Sequence, residues 1–352
     1  MAEEKSVHQF KLLVIGLLII FGLVVVMVIV AWSAIYICYS DEIKTIQSVH
    51  KISERPVVEI NYTGNYKFKE YLEQGSVDLI GTEDFLKKNL CLGLENIIPD
   101  GYKCSAFSAQ TPQGDYILAR NLDYNGSTFP AILKVNTKGV MHSIGISSFH
   151  QAQSTENDVQ MENFEAIYTP YLTYDGMNEY GLSIAAISTS NSISVAKKHQ
   201  TSIYDIEAVR LMLDQAKNVQ DAKLLMEQYS IALSEEHPSH FIVCDAQGNS
   251  MVIEYVHGSL QITETEKPYQ VLTDFLLYTG EKASDIGAEI YHNYNETLNE
   301  CNGKISEEEA MQLLKENAEK GKTQWSVVYN MSKRTMTVSF SEDEDKVYKY
   351  TF

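Results

Sequence analysis

The sequence predicts an α+β fold in which helices cover sheets, set behind one uncharged N-terminal span. Three observations predict it. Residues 12–39 (LLVIGLLIIFGLVVVMVIVAWSAIYICY) carry no charged side chain. After Gly101 the apolar pattern takes the period of strands. Two amphipathic helical segments then interrupt the strands before strands resume, an order that suggests sheets with helices packed on them. The 28 Lys and Arg against 47 Asp and Glu, a formal net charge of −19, argue against nucleic acid as a partner, because a phosphate-binding surface needs clustered cations. A hydrophobic content of 44% with only 7 Pro fits a folded chain with a sizeable core rather than a disordered one.

Taken in chain order, the 12–39 run at ~1.5 Å per residue is about 42 Å long, enough to cross a ~30 Å hydrocarbon core. Trp32, Tyr36 and Tyr39 lie near one end, as interfacial aromatics do. A cleaved signal peptide has a shorter apolar region, so this is read as an uncleaved membrane anchor. Lys5 and Lys11 precede it and Lys44 and Lys51 follow, a nearly even count. With little chain before the span and all the folding sequence after it, residues 1–11 are expected to be a cytoplasmic tail and the body to be extracellular. Residues 41–103 mix short apolar and charged clusters with Leu and Ile at helical spacing, and are expected to form a helical pro-segment.

CSAFSAQ, a PQGD turn and DYILARNL read as a β-hairpin, and AILKVNT and VMHSIGISS continue the strands. YLTYDGMNEYGLSIAAIS is expected to turn between Gly176 and Gly181 and run into a strand. YDIEAVRLMLDQA and VQDAKLLMEQY each keep one apolar face and read as helices. SHFIVCDAQGNSMVIEY and YQVLTDF return to strands, Ser306 and Glu309 are spaced as a capping box opening a helix, and TQWSVVYN, TMTVSFS and KVYKYTF are β.

Chemistry concentrates in the hairpin. Cys104 opens one arm while Arg120 and Asp123 close the other, so a tight hairpin returns both charges to the cysteine. A guanidinium favours a thiolate, and a carboxylate can hold an amine beside it. The competing reading is a small core cysteine next to an ordinary ion pair. The remaining cysteines, Cys38, Cys91, Cys244 and Cys301, show no zinc-like spacing.

The spacing C-x15-R-x2-D, within CSAF and LARNLDY, resembles the choloylglycine hydrolase family of N-terminal-nucleophile amidases, which includes bile salt hydrolases and penicillin V acylases and has acid ceramidase and N-acylethanolamine acid amidase as relatives. The resemblance extends to DGMNEYGLSIAAIS, VLTD and TQWSVVYN. It implies a four-layer αββα sandwich over 104–352. It further implies a cysteine amidase acting on a linear, non-peptide C–N bond of a small N-acyl substrate through a thioester, with no cofactor or metal. In such enzymes a peptide cut makes the cysteine N-terminal, and its own α-amine serves as the base. A thiol of pKa ~8.5 beside an amine of ~7.7–8 exchanges a proton near neutral pH. Carried over, Cys104 is the nucleophile, Arg120 supports the thiolate and Asp123 holds the amine, after cleavage between Lys103 and Cys104. The relatives with long leading segments keep them as a small subunit, which implies that 41–103 stays associated with the catalytic chain.

Three positions depart from that family. Asp274 ends VLTD where an oxyanion-hole asparagine is usual, and an ionised carboxylate would repel an oxyanion. Ser188 stands where a second polar donor is expected in the substrate site. Asn293 falls about where an arginine is common. These departures leave two alternatives to the amidase, an acyltransferase of the same fold and a catalytically impaired binding domain. Outside the hairpin, His237 and His240 in HPSH read as a solvated turn rather than a metal site, Trp325 as core packing, and the acidic run SEDED as a solvated turn.

Overall fold

A computed structural model describes residues 2–53, 57–90, 102–126, 128–149, 163–189, 192–195, 197, 199–234, 237–280, 285–340 and 346–352. Helix α1 (Ala2–Cys38) contains the apolar stretch Phe10–Cys38, whose mean hydropathy of 3.5 and length of 29 residues are sufficient to cross a membrane, and none of it is buried against the rest of the protein.

The body is built on two sheets, the first mixed through one parallel pair and the second wholly antiparallel. The first has the order β1 (His50–Lys51), β2 (Val58–Tyr62), β5 (Phe129–Val135), β6 (Ser143–Phe149), β7 (Thr173–Asn178), β8 (Ser183–Ser188), β11 (Ser239–Cys244), β12 (Ser250–Val256) and β13 (Ser259–Glu264). The second runs β14 (Gln270–Leu272), β3 (Tyr102–Gln110), β4 (Tyr116–Tyr124), β15 (Thr323–Asn330), β16 (Thr335–Phe340) and β17 (Tyr348–Thr351). Strand β8 packs across onto β3 and β4. Helices α5 (Glu207–Gln215) and α6 (Val219–Gln228) cover the first sheet, and α7 (Asp285–Glu300) and α8 (Glu307–Glu316) cover the second. A short parallel pair, β9 (Ser202–Tyr204) and β10 (Ser230–Ala232), flanks α5 and α6.

Alternation along β3 explains why both faces of the second sheet are buried. Cys104 and Ala106 join the core between the sheets, while Phe107 and Ala109 join a separate core with Tyr294, Leu298 and Leu314 from α7 and α8. The 3.6-residue pattern placed α5 and α6 correctly, and the Ser306–Glu309 box caps α8, with both reciprocal bonds formed. The capping of α6 is simpler: Asn218 accepts from Asp221 N at 2.9 Å.

Three expectations are corrected. The 41–103 segment is not simply helical. Besides α2 (Ser40–Ser48), α3 (Phe68–Gln74) and α4 (Leu79–Leu90), it contributes β2, which lies parallel to β5 inside the first sheet. The alternation that buries Ile60 and Tyr62 while exposing Asn61 is the strand signal there. Most of the buried side chains of this segment precede α4. Ile60, Tyr62, Tyr66, Phe68, Tyr71 and Leu72 join Phe85 and Leu86 in the core, whereas Ile80 is exposed. Leu92, Leu94, Ile97 and Ile98 lie outside the described residues, as do Cys91 and the SEDED run.

Second, Gly176 is not at a turn. It sits inside β7 opposite Gly145, where a Cβ on either residue would meet the neighbouring backbone, and the turn falls at 179–180. Third, His240 is not solvated. It is a fully buried residue of β11, opposite Glu254 of β12.

The segment 40–90 is tied to the body by polar contacts as well. Tyr66 donates to Asp214 Oδ2 at 2.6 Å, Arg210 Nε donates to Asp214 Oδ1 at 2.7 Å, and Tyr171 donates to the Tyr66 carbonyl at 2.8 Å. Tyr71 packs edge-to-face on Phe85 and on Tyr171, with centroids 5.3 and 5.4 Å apart.

Candidate active site

The hairpin β3–β4 registers Cys104 opposite Leu122, Ala106 opposite Arg120 and Lys103 opposite Asp123. Because side chains alternate, Cys104 and Arg120 both point into the space between the sheets. Arg120 Nη2 donates to Cys104 Sγ at 2.7 Å, and the backbone N–H of Asp123 also reaches the sulfur. Arg120 Nη1 donates to Asp175 Oδ2 at 2.6 Å and to the Tyr174 carbonyl at 3.2 Å. All of these groups are buried.

Asp175 is therefore the counter-ion that holds the guanidinium in place. Its carboxylate also accepts from Trp325 Nε1 at 3.0 Å and from the Tyr329 hydroxyl, both on β15. A buried arginine needs such a partner, since one unpaired charge inside a protein costs several kcal/mol. The sequence reading quoted Asp175 inside DGMNEYGL without giving it a role. The missing step was to ask which carboxylate would neutralise an arginine placed on an apolar strand. Trp325 is core packing, as expected, with its indole N–H also engaged.

Burial pushes the Cys104 thiol up to about 12, although Arg120 beside it works in the opposite direction. In the intact chain the sulfur is thus a protonated strand residue. Asp123 is raised to about 7, chiefly by burial, while the Thr323 hydroxyl, which donates to its Oδ1, pulls it down. Thr323 also escaped the sequence reading.

Asp274 lies two residues past Leu272, which pairs with Ala106, so the antiparallel register brings its backbone to the Cys104 end of the sheet. Its carboxylate packs against Gly287 in the first turn of α7, where an added Cβ would overlap Oδ1, and Thr189 Oγ1 donates to its carbonyl at 3.2 Å. Ser188, the residue before Thr189, ends β8 opposite Ser239, whose Oγ is 2.7 Å from the Tyr102 hydroxyl. Asn293, by contrast, bonds Asn317 Oδ1 at 2.9 Å and joins α7 to α8 on the outer layer.

The segment after Asp274 is held by Glu254, which accepts from Leu277 N at 2.7 Å and Tyr278 N at 2.8 Å, with His240 Nδ1 3.2 Å from the same carboxylate. Among the described residues no three His, Cys, Asp or Glu side chains group as metal ligands. A cavity of about 810 Å³ opens at the other end of the sandwich, lined by Ser108, Tyr116, Lys217, Cys244 and Lys267, away from Cys104.

Comparison with known proteins identifies the fold and the family. A variant of the conjugated bile acid hydrolase from Clostridium perfringens superposes with a TM-score of 0.51 at 16% identity, covering 71% of this chain and 92% of that one. Penicillin V acylase from Agrobacterium tumefaciens gives 0.51 at 15% identity, covering 71% and 86%. At these identities the likeness establishes the fold, a mixed α+β N-terminal-nucleophile hydrolase architecture. An uncharacterized protein of Paramecium bursaria Chlorella virus 1 is 31% identical over 121 residues, 32% of this chain, and the chain spans 43% of the length of that relative. The sequence profile described as linear amide C–N hydrolases, choloylglycine hydrolase family, matches residues 104–279, starting at Cys104 itself. With half of its length matched by that profile, the chain belongs to the choloylglycine hydrolase family of linear amide C–N hydrolases.

Proposed function

We propose that this chain is a cysteine amidase that hydrolyses a linear, non-peptide amide through a Cys104 thioester after cleavage between Lys103 and Cys104. Residues 12–39 tether it to a membrane, with 1–11 cytoplasmic and the catalytic body, 104–352, outside. The observation that carries the reading is the 2.7 Å contact of Arg120 Nη2 with Cys104 Sγ, at the start of the region that matches the family. The relatives of the same fold are named for bile acid conjugates and penicillin V, which supports a small N-acyl compound as substrate.

The chemistry follows from the surroundings of the sulfur. In the intact chain the buried thiol, raised to about 12, has no free α-amine of its own to take its proton. Cleavage gives Cys104 a free α-amine of ordinary pKa ~7.7–8, which takes the thiol proton as the sulfur attacks the substrate carbonyl. The C–S bond forms, the C–N bond breaks, and the leaving amine carries away that proton. Water then cleaves the thioester and returns a proton to sulfur. Arg120, fixed by Asp175, stabilises the thiolate. Asp123, opposite Lys103 in register, is the carboxylate beside which the new amine appears, and an adjacent cation favours its charged form.

A second reading, an impaired domain that binds without turnover, is favoured by Asp274, a carboxylate in place of an amide donor; Ser188 beside Thr189 would then serve binding alone. Intact mass spectrometry of the purified full-length chain separates the two. A fragment beginning at Cys104, absent in Cys104→Ala and accompanied by amide hydrolysis, supports the amidase. A wild-type chain that stays whole and inert sinks it.

A further inference from the structure

In the intact chain the aromatic ring of Tyr102 occupies a closed site between the two sheets, two residues before Cys104. It is 5% exposed, it stands edge-to-face to Tyr174 with centroids 5.0 Å apart, and its hydroxyl is 2.7 Å from Ser239 Oγ. Ser239 is itself fixed, because its backbone N–H donates to Asp205 Oδ2 at 3.1 Å. The Tyr102 and Ser239 hydroxyls thus share one hydrogen bond, in which either can donate. The Tyr174 hydroxyl, on a side chain only 1% exposed, has no hydrogen-bond partner among the described residues. Trp325 closes the aromatic wall, 6.4 Å from Tyr174.

Two polar atoms therefore await a ligand here once Tyr102 is gone, the Ser239 oxygen and the Tyr174 hydroxyl. Buried polar groups without partners are rare in native proteins, and each calls for a function. The chemistry identifies which part of the substrate belongs in this place. Self-cleavage and turnover use the same sulfur on the same kind of carbonyl. The chain leading up to Lys103 stands, before the cut, on the acyl side of the bond that Cys104 attacks.

We propose, resting on the amidase reading above, that the Tyr102 site is the acyl pocket and that Tyr102 is its internal occupant until the chain is cut. The substrate class that fits is an amide whose acyl group ends in a phenol-type ring, a flat aromatic carrying a hydrogen-bond donor at its far edge. The strand rise of ~3.3 Å per residue puts the base of that ring roughly 7 Å from the sulfur's own residue, a short linker's length. Tyr174 supplies the ring contact and a second polar group, and Ser239 reads the donor.

The test uses the full-length processed chain in detergent and amides of one common amine. The acyl groups are 3-(4-hydroxyphenyl)propionyl, 3-phenylpropionyl and an unbranched alkanoyl of matched length. The phenolic amide is expected to exceed the alkanoyl amide in kcat/KM by about tenfold or more, and Ser239→Ala should bring the phenolic-to-phenyl ratio close to one. Calorimetric binding of p-cresol to the same chain, weakened in Ser239→Ala, is the arm that does not depend on turnover. Preference for the alkanoyl amide overturns the pocket while leaving the amidase intact. Loss of all amide hydrolysis with p-cresol still bound in a Ser239-dependent way overturns the amidase and leaves the pocket. A processed chain that fails to bind p-cresol overturns the pocket whatever it hydrolyses.

Discussion

Arg120 donates from Nη2 to the sulfur of Cys104 at 2.7 Å, and the same guanidinium is held from behind by Asp175 at 2.6 Å. A single buried cation thus serves a structural anion on one side and the proposed nucleophile on the other. Arg120→Ala should reduce amide turnover by at least about 10², and it should also lower stability by about 3–5 kcal/mol, because Asp175 is left buried without its partner. Replacing the pair by Arg120→Met with Asp175→Leu should restore much of the stability and none of the activity. Denaturant melts beside kinetics check this, and full stability in Arg120→Ala alone would show that the pair is not the anchor described.

Thr323 is expected to set the acidic limb of the proposed reaction. Its hydroxyl donates to Asp123, whose carboxyl burial has raised to about 7, so the bond favours the charged form. Thr323→Val removes that support, and the Asp123 pKa should rise by about one unit. Activity at neutral pH should fall and recover as the pH is raised. A pH–rate profile with an unmoved acidic limb would exclude Asp123 from the rate-controlling ionisations.

Glu207 makes the joint between segment 40–90 and the body sensitive to pH. It is fully buried at the start of α5, beside Thr82 of α4 and Tyr71 of α3, and burial raises its carboxyl from 4.5 to about 8. A carboxyl whose folded pKa is raised binds more protons in the native state between those values. Its stabilisation is complete below about 4.5 and is lost as the pH climbs to 8. The loss is on the order of 5 kcal/mol at most. Membranes carrying the processed protein should keep the Cys104-started chain through a high-salt wash and release it in mild urea, more readily at pH 9 than at pH 6. Glu207→Gln should make release independent of pH. Quantitative release in plain buffer at pH 6 would show that the segment does not hold the catalytic chain.

Asp274 is the departure expected to limit the proposed activity. Asp274→Asn should raise turnover by up to roughly 10² if an amide donor is restored to the oxyanion. Gly287→Ala should act differently, since its Cβ would overlap the Asp274 carboxylate and displace it. Steady-state rates of both variants settle the matter. Wild-type rates in both would place Asp274 outside the oxyanion site.

Much of this protein was written locally. The apolar run of α1, the helical periods of α5 and α6, the Ser306–Glu309 box and the hairpin that returns Arg120 to Cys104 all depend on neighbours within a few residues to a couple of strands. Near-neighbour sterics and hydrophobic period determine such features, so they can be read from the chain alone. The nearness of Arg120 and Asp123 to Cys104 was legible for the same reason.

What only the tertiary structure decided depends on contacts between distant residues. Asp175 is 55 residues from Arg120, and Thr323 is 200 from Asp123. The sequence supplies both carboxylates and hydroxyls in abundance but carries no local signal for which ones meet. Strand β2 was hidden for a related reason, because its place beside β5 is decided by a parallel pairing across the chain rather than by its own propensity. His240 became a buried strand residue because the first sheet closes over it, and Tyr102 became the occupant of a pocket because two sheets pack face to face around its ring. The sequence determines each element's period and its reactive residues. Long-range packing in a low-dielectric interior determines which charges must pair, and so which residues make the site.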